Sequence, residues 1–134
     1  MREVDASRFV PATPTELDRL LTPERLIEYE GSFSVDGVSE TDAGTVVTAS
    51  GPGLTLQYRF EPQPDGWYYE QAGGAGPFET METWLTVERE NEGSRVRLRS
   101  QVALSTRLPF ADRIAGWKRR GELRRALEAL AAEL

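Results

Sequence analysis

Between Ser32 and Ser105 turn signals recur about every ten residues, and this rhythm constrains the fold more than any other feature of the chain. The signals are Asp36-Gly37, Asp42-Ala43-Gly44, Gly51-Pro52-Gly53, Asp65-Gly66, the run Gly73 to Pro77, and Glu92-Gly93. Such spacing reads as an antiparallel meander. Within it Leu54, Leu56, Tyr58 and Phe60 alternate with Thr55, Gln57, Arg59 and Glu61, the pattern of a half-buried strand.

The last hairpin can be registered by arithmetic. With Glu92-Gly93 as a two-residue turn, Arg95 faces Glu90, Arg97 faces Glu88 and Arg99 faces Thr86. On the other face Leu98 meets Val87, Ser100 meets Leu85, Val102 meets Thr83 and Leu104 meets Met81. A one-residue slip would set Val87 against Arg97 and mix the faces. The outer face is thus charged, and the inner face apolar or small and polar.

The ends have other periods. Val4 to Val10 is strand-like. Thr13-Pro14-Thr15-Glu16 and Thr22-Pro23 are two helix starts, each with a capping hydroxyl and a proline at the first helical position. Leu17, Leu20 and Leu21, then Leu26, Ile27 and Tyr29, give short apolar faces, and Gly31 is placed to end the second. Pro109 to Leu134 reads as one long helix. Phe110, Ile114, Trp117 and Gly121 fall at spacings of three and four, and Leu123, Leu127, Leu130 and Leu134 continue the stripe. A broad apolar stripe must lie against something large, and the sheet is the partner available.

Composition narrows the chemistry. The 134 residues suit one domain, expected over 1–134, and no apolar run reaches the roughly 18 residues of a spanning helix. Cysteine and histidine are absent, which removes disulfides, thiolate nucleophiles, Ser-His-Asp chemistry and nearly all zinc sites. No cofactor and no metal site is expected. The net charge is −6 and Lys118 is the single lysine among sixteen basic residues. This balance opposes a nucleic-acid partner and suits a surface kept soluble in concentrated salt. A GC-rich genome, which favours Arg codons, would give the same bias. Without a basic-plus-apolar leader, a cytoplasmic location is expected.

The element order is therefore strand, two short helices, six strands and one long helix. It resembles the helix-grip fold of the START and Bet v 1-like superfamily, SRPBCC. The resemblance spans essentially the whole chain. It is carried by Phe9-Val10-Pro11-Ala12 leading into Thr13-Pro14-Thr15-Glu16, by the hairpin Glu92-Gly93-Ser94-Arg95-Val96, and by the Leu-rich final helix. Within the superfamily the chain is most similar to small prokaryotic polyketide cyclase/dehydrase-like proteins, haloarchaeal ones included. The resemblance implies an α+β fold, a curved seven-stranded antiparallel sheet wrapped around the long C-terminal helix. It also implies a pocket between sheet and helix for a small hydrophobic molecule such as a lipid, quinone or polyketide. None of these motifs is catalytic, and the fold hosts many functions.

The inward set is then Tyr58, Phe60, Met81, Thr83, Ser100 and Val102 from the sheet, with Phe110, Ile114 and Trp117 from the helix. Pairing Phe60 with Gln71 adds Trp67, Tyr69 and Gln71. The set fits a ligand pocket with aromatic walls, a flexible methionine and two hydroxyls, and it fits an ordinary core. Extended alternation brings Glu79 inward near the mouth. Carriage of an apolar ligand is the leading expectation. A cyclase or dehydratase-type enzyme is the second, with Tyr58, Tyr69 or Glu79 moving a proton. A protein-interaction module of quinone-chaperone or ribosome-associated type is the third. Trp84 falls on the outer face, where it serves a homodimer or lies flat over its neighbours. Gly73 to Pro77 lacks the Lys-Ser/Thr of a phosphate loop and reads as a mouth loop. Lys118, Arg119, Arg120, Arg124 and Arg125 spread around the helix, with Lys118-Glu122 and Arg124-Glu128 spaced for ion pairs. Asp36, Glu40 and Asp42 lack the pattern of a calcium loop.

Overall fold

The computed structural model describes residues 1–72, 78–104 and 108–134. The order is β1 (Arg2–Val10), α1 (Pro14–Asp18), α2 (Pro23–Glu30), β2 (Ser34–Thr41), β3 (Gly44–Gly51), β4 (Leu54–Gln63), β5 (Gly66–Ala72), β6 (Phe78–Glu90), β7 (Gly93–Leu104) and α3 (Ala111–Ala132). The seven strands form one antiparallel sheet in the order β1-β7-β6-β5-β4-β3-β2. Helix α3 lies over β1 and β7 and against α2. This is the expected architecture. The mouth loop Gly73 to Pro77 lies outside the described residues.

The helix starts work as the sequence suggests. The Thr13 hydroxyl accepts from the Glu16 amide at 3.2 Å, and that of Thr22 from the Arg25 amide at 3.4 Å. Gly31 ends α2 in the left-handed region at φ 80°. Helix α3 begins two residues later than expected. Phe110 holds φ 70°, a costly conformation for a bulky side chain, and stands outside the helix as its cap.

Both hairpin registers differ by two residues from the arithmetic, and both keep its faces. Val87 pairs with Val96 and Leu85 with Leu98, so the β6–β7 turn is Asn91-Glu92, with Asn91 at φ 53°. Asparagine tolerates that region, and Gly93 is then free to sit against Val10, whose carbonyl oxygen is 2.2 Å from where a Cβ would be. Phe60 pairs with Tyr69, not Gln71, because the β4–β5 turn is Pro64-Asp65. A two-residue shift preserves the period-2 alternation, which is why the inner and outer faces survive.

Candidate functional site

Helix α3 packs by the Leu123, Leu127 and Leu130 part of the expected stripe and not by its Phe110, Ile114 and Trp117 part. Its buried residues are Ala111, Ala115, Gly116, Arg119, Glu122, Leu123, Ala126, Leu127 and Leu130. Phe110, Ile114 and Trp117 are 66%, 56% and 80% exposed. They do not roof the sheet and line no interior pocket. The cause is helical geometry. From Gly121 to Leu123 is two residues, about 200° of turn, so the two apolar stripes lie on opposite sides. Leu134, at the end of the second stripe, is exposed past the last turn.

Arg119 stands where Trp117 was expected, and it is 1% exposed. Its five N–H donors meet five acceptors. Nη1 donates to Glu30 Oε1 at 2.6 Å and to Glu122 Oε1 at 3.0 Å. Nη2 donates to Glu30 Oε2 at 3.0 Å and to Thr83 Oγ1 at 2.7 Å, and Nε to Ser100 Oγ at 3.1 Å. A guanidinium has no further donor to satisfy. Tyr69 donates its hydroxyl proton to Glu30 Oε2 at 2.6 Å, Ser32 donates to Glu122, and Lys118 approaches Glu122 at 3.5 Å. Burial alone would lower the Arg119 pKa, but Glu30, Tyr69 and Glu122 raise it well above the usual value. Burial alone would raise that of Glu122, but Arg119, Ser32 and Lys118 hold it below the usual carboxylate value.

The sheet residues of the inward set are inward. Phe60, Tyr69, Thr83, Ser100 and Val102 are 0% exposed, Met81 2% and Tyr58 4%. A side chain with no accessible surface adjoins no space large enough for a water molecule. The hollow expected beneath α3 is therefore closed at these residues. Phe60 stacks on Tyr69 at 4.4 Å, and Thr83 and Ser100 share a hydrogen bond of 2.9 Å. Burial, then Glu30, pushes the Tyr58 and Tyr69 phenols above their ordinary value, so neither ionises near neutral pH. Glu79 does not face inward. The register shifts between Phe78 and Thr80, and Glu79 is the extra, exposed residue of that bulge. Acid–base roles for Tyr58, Tyr69 and Glu79 in the expected pocket thus have no open position from which to act. Trp84 is half-buried, with the Arg99 guanidinium 4.6 Å above its ring and Tyr68 at 5.4 Å.

Open space lies elsewhere. A cleft of about 560 Å³ runs between α1 and the β4–β5 hairpin. Leu21, Trp67, Leu85 and Val87 are among its walls, with Asp18 and Asp65 also lining it. The Trp67 indole is fixed from two sides. Its Nε1 donates to the Leu21 carbonyl at 2.8 Å, and its ring meets Phe60 edge-on at 5.9 Å. The hairpin end is pinned by the Val87 amide donating to the Asp65 carbonyl at 2.8 Å. Among the described residues no group of three or more acidic side chains gathers as a metal site, and no helix is long and apolar enough to cross a membrane.

Arg119, Glu30 and Glu122 were not singled out as site residues. The signal was present for two of them. Counting back from Leu123 by four and from Leu130 by eight lands on Arg119 and Glu122. Glu30, a polar residue at the end of a short helix, carries no such mark.

No protein-family model and no curated protein matches the chain. Solved structures do. TTHA0849 from Thermus thermophilus superposes with a TM-score of 0.76 at 22% identity, 98% of this chain covering 95% of that one. The Zhui aromatase/cyclase from a Streptomyces species gives 0.73 at 16% identity, with 98% and 92% covered. Ara h 8.0201 gives 0.63 at 16% identity, with 98% of each chain covered. Likeness at this identity is likeness of fold, and the chain has the Bet v 1-like helix-grip fold.

Proposed function

We propose that the chain binds a small amphipathic molecule, held in the cleft between α1 and the β4–β5 hairpin. The observation that carries this reading is the cleft itself. Its volume of about 560 Å³ falls in the range of small-molecule sites. Its walls pair apolar surface, with the fixed indole of Trp67 among it, with the carboxylates of Asp18 and Asp65. Binding of a small, largely apolar molecule is retained from the sequence. Its place moves, because a guest under α3 would have to displace the five hydrogen bonds of Arg119. The carboxylates favour a guest with a cationic or hydrogen-bond-donating end.

Thermal unfolding in the presence of decylamine, decanoate and a short-chain quinone tests the reading. A ligand that binds only the native state raises the midpoint, by about 2.7 kcal/mol of stability at a hundredfold excess over its Kd. Decylamine is expected to give the largest rise. The exposed Thr15 on α1 lines the cleft, and Thr15→Trp fills it and removes the rise. No shift with any of the three compounds defeats the binding reading. A shift that survives Thr15→Trp places the guest elsewhere.

A further inference from the structure

We propose that the outer face of α3 docks on anionic lipid bilayers. Phe110, Ile114 and Trp117 stand on one side of the first two turns, each more than half exposed. Around them lie Arg113, Arg120 and Arg124, all exposed, while the Arg125 guanidinium is held inward, donating to the Glu30 carbonyl at 2.8 Å and to Ser32 Oγ at 3.3 Å. At 100° per residue Arg113, Ile114, Trp117, Arg120 and Arg124 occupy an outward arc of roughly 120°. Arg119, on the opposite side of the helix, is turned to the core. From Arg113 to Arg125 every fully exposed charge on the helix is positive. Lys118 is half-buried and paired with the buried Glu122. Glu128 ends the basic stretch one turn later.

An apolar row flanked by guanidinium groups suits a bilayer interface. The indole and phenyl tips enter the headgroup boundary while the arginines meet lipid phosphates. The Arg113 guanidinium already lies 5.6 Å over the Phe110 ring, so charge and apolar surface are presented together. The whole chain carries −6, so the remainder is more acidic still and turns away from a negative surface. A second copy fits worse. A two-fold contact would set Arg113, Arg120 and Arg124 against themselves. Three side chains on two turns also fall short of the roughly 800 Å² per partner that a standard interface buries. Nucleic acid would leave Phe110 and Ile114 facing phosphates.

Co-sedimentation with phosphatidylcholine vesicles, with and without a quarter phosphatidylglycerol, tests the proposal. The intact chain is expected to pellet with the anionic vesicles, to stay in solution with the neutral ones, and to be released by high salt. The pair Arg120→Glu and Arg124→Glu weakens binding roughly tenfold or more. Trp117→Phe removes a blue shift of tryptophan emission on vesicle addition. Arg97→Glu, an exposed change on the sheet, leaves binding as it was. Thermal midpoints matching the parent show that the variants are folded. Failure to bind anionic vesicles, or equal binding to neutral ones, overturns the proposal. So does a dimer in sedimentation velocity that Trp117→Ala dissociates, which assigns the face to a second copy.

Discussion

Arg119 and Glu30 meet in a two-point ion pair, at 2.6 and 3.0 Å, with 1% and 2% of their surfaces exposed. The pair ties α3 to the end of α2, and Thr83 and Ser100 tie it to the sheet. Removing one partner leaves the other charge buried and unpaired, which costs about 3–5 kcal/mol. Arg119→Met is therefore expected to lower urea stability by about that amount. A loss below about 1 kcal/mol would show that the interior there is wetter than the burial indicates.

Acid should weaken the protein through Glu122. Its folded pKa lies below the ordinary 4.5, because Arg119, Ser32 and Lys118 outweigh its burial. A depressed carboxylate binds protons more readily when unfolded. Its contribution is full above the ordinary value and is lost as pH falls through the folded one. Urea midpoints are expected to fall as pH drops below about 4.5, and to fall less steeply in Glu122→Gln. Glu90, lowered by its hydrogen bonds to Arg95, acts in the same direction, so some slope remains. An unchanged slope in Glu122→Gln would remove Glu122 from this account.

Alkali should act through the phenols. Burial is the first cause that raises Tyr58, Tyr68 and Tyr69 above their ordinary 10.0; Glu30 adds to it at Tyr58 and Tyr69, and Glu82 and Glu70 at Tyr68. A raised phenol keeps its proton in the folded state while the unfolded chain ionises. Its contribution is therefore present below pH 10 and lost as pH rises beyond it. Spectrophotometric titration is expected to show these three phenols ionising together with the loss of tertiary circular dichroism. Tyr69→Phe removes one of them and flattens the alkaline loss. Smooth ionisation of all tyrosines near pH 10 in a folded chain would contradict the arrangement.

Gly66 is the tightest backbone approach beside the cleft. A Cβ there would lie 1.8 Å from the Leu85 carbonyl oxygen, an atom fixed in the sheet. Gly66→Ala must part β5 from β6 and is expected to cost about 1–3 kcal/mol or more. Gly37 has nothing within 4 Å of that position, so Gly37→Ala is the control, expected to change urea stability by less than about 0.5 kcal/mol. Equal behaviour of the two would refute the steric account.

The fold was legible because its signals are local. Turn residues, Thr-Pro caps and strand alternation each specify their own segment, and a register error of two residues leaves every face intact. The site was less legible because it depends on which way one helix faces. Two apolar stripes share α3, and the stripe with the larger side chains, Phe110, Ile114 and Trp117, is the exposed one. The face that packs carries an arginine and a glutamate, residue types that are almost never buried unless paired. The partner that allows this, Glu30, is 89 residues away in sequence. Glu79 was misplaced for a local reason, a bulge with no glycine to mark it.

The Arg119 cluster fills the space where a cavity was expected, so replacing the whole cluster separates its two roles. If it serves only to fill and to hold, an apolar set of similar volume should do as well. Buried ion clusters replaced by well-packed hydrophobes are often neutral or gain about 1–4 kcal/mol. Arg119→Met combined with Glu30→Met and Glu122→Leu is therefore expected to recover most of what Arg119→Met alone loses, as measured by urea unfolding. Tyr69 then lacks its acceptor, so adding Tyr69→Phe should recover more. The recovered chain is expected to keep the decylamine response of its cleft, which does not involve these residues. A combined variant less stable than Arg119→Met would show that the hydrogen bonds of Arg119 contribute more than the space they fill.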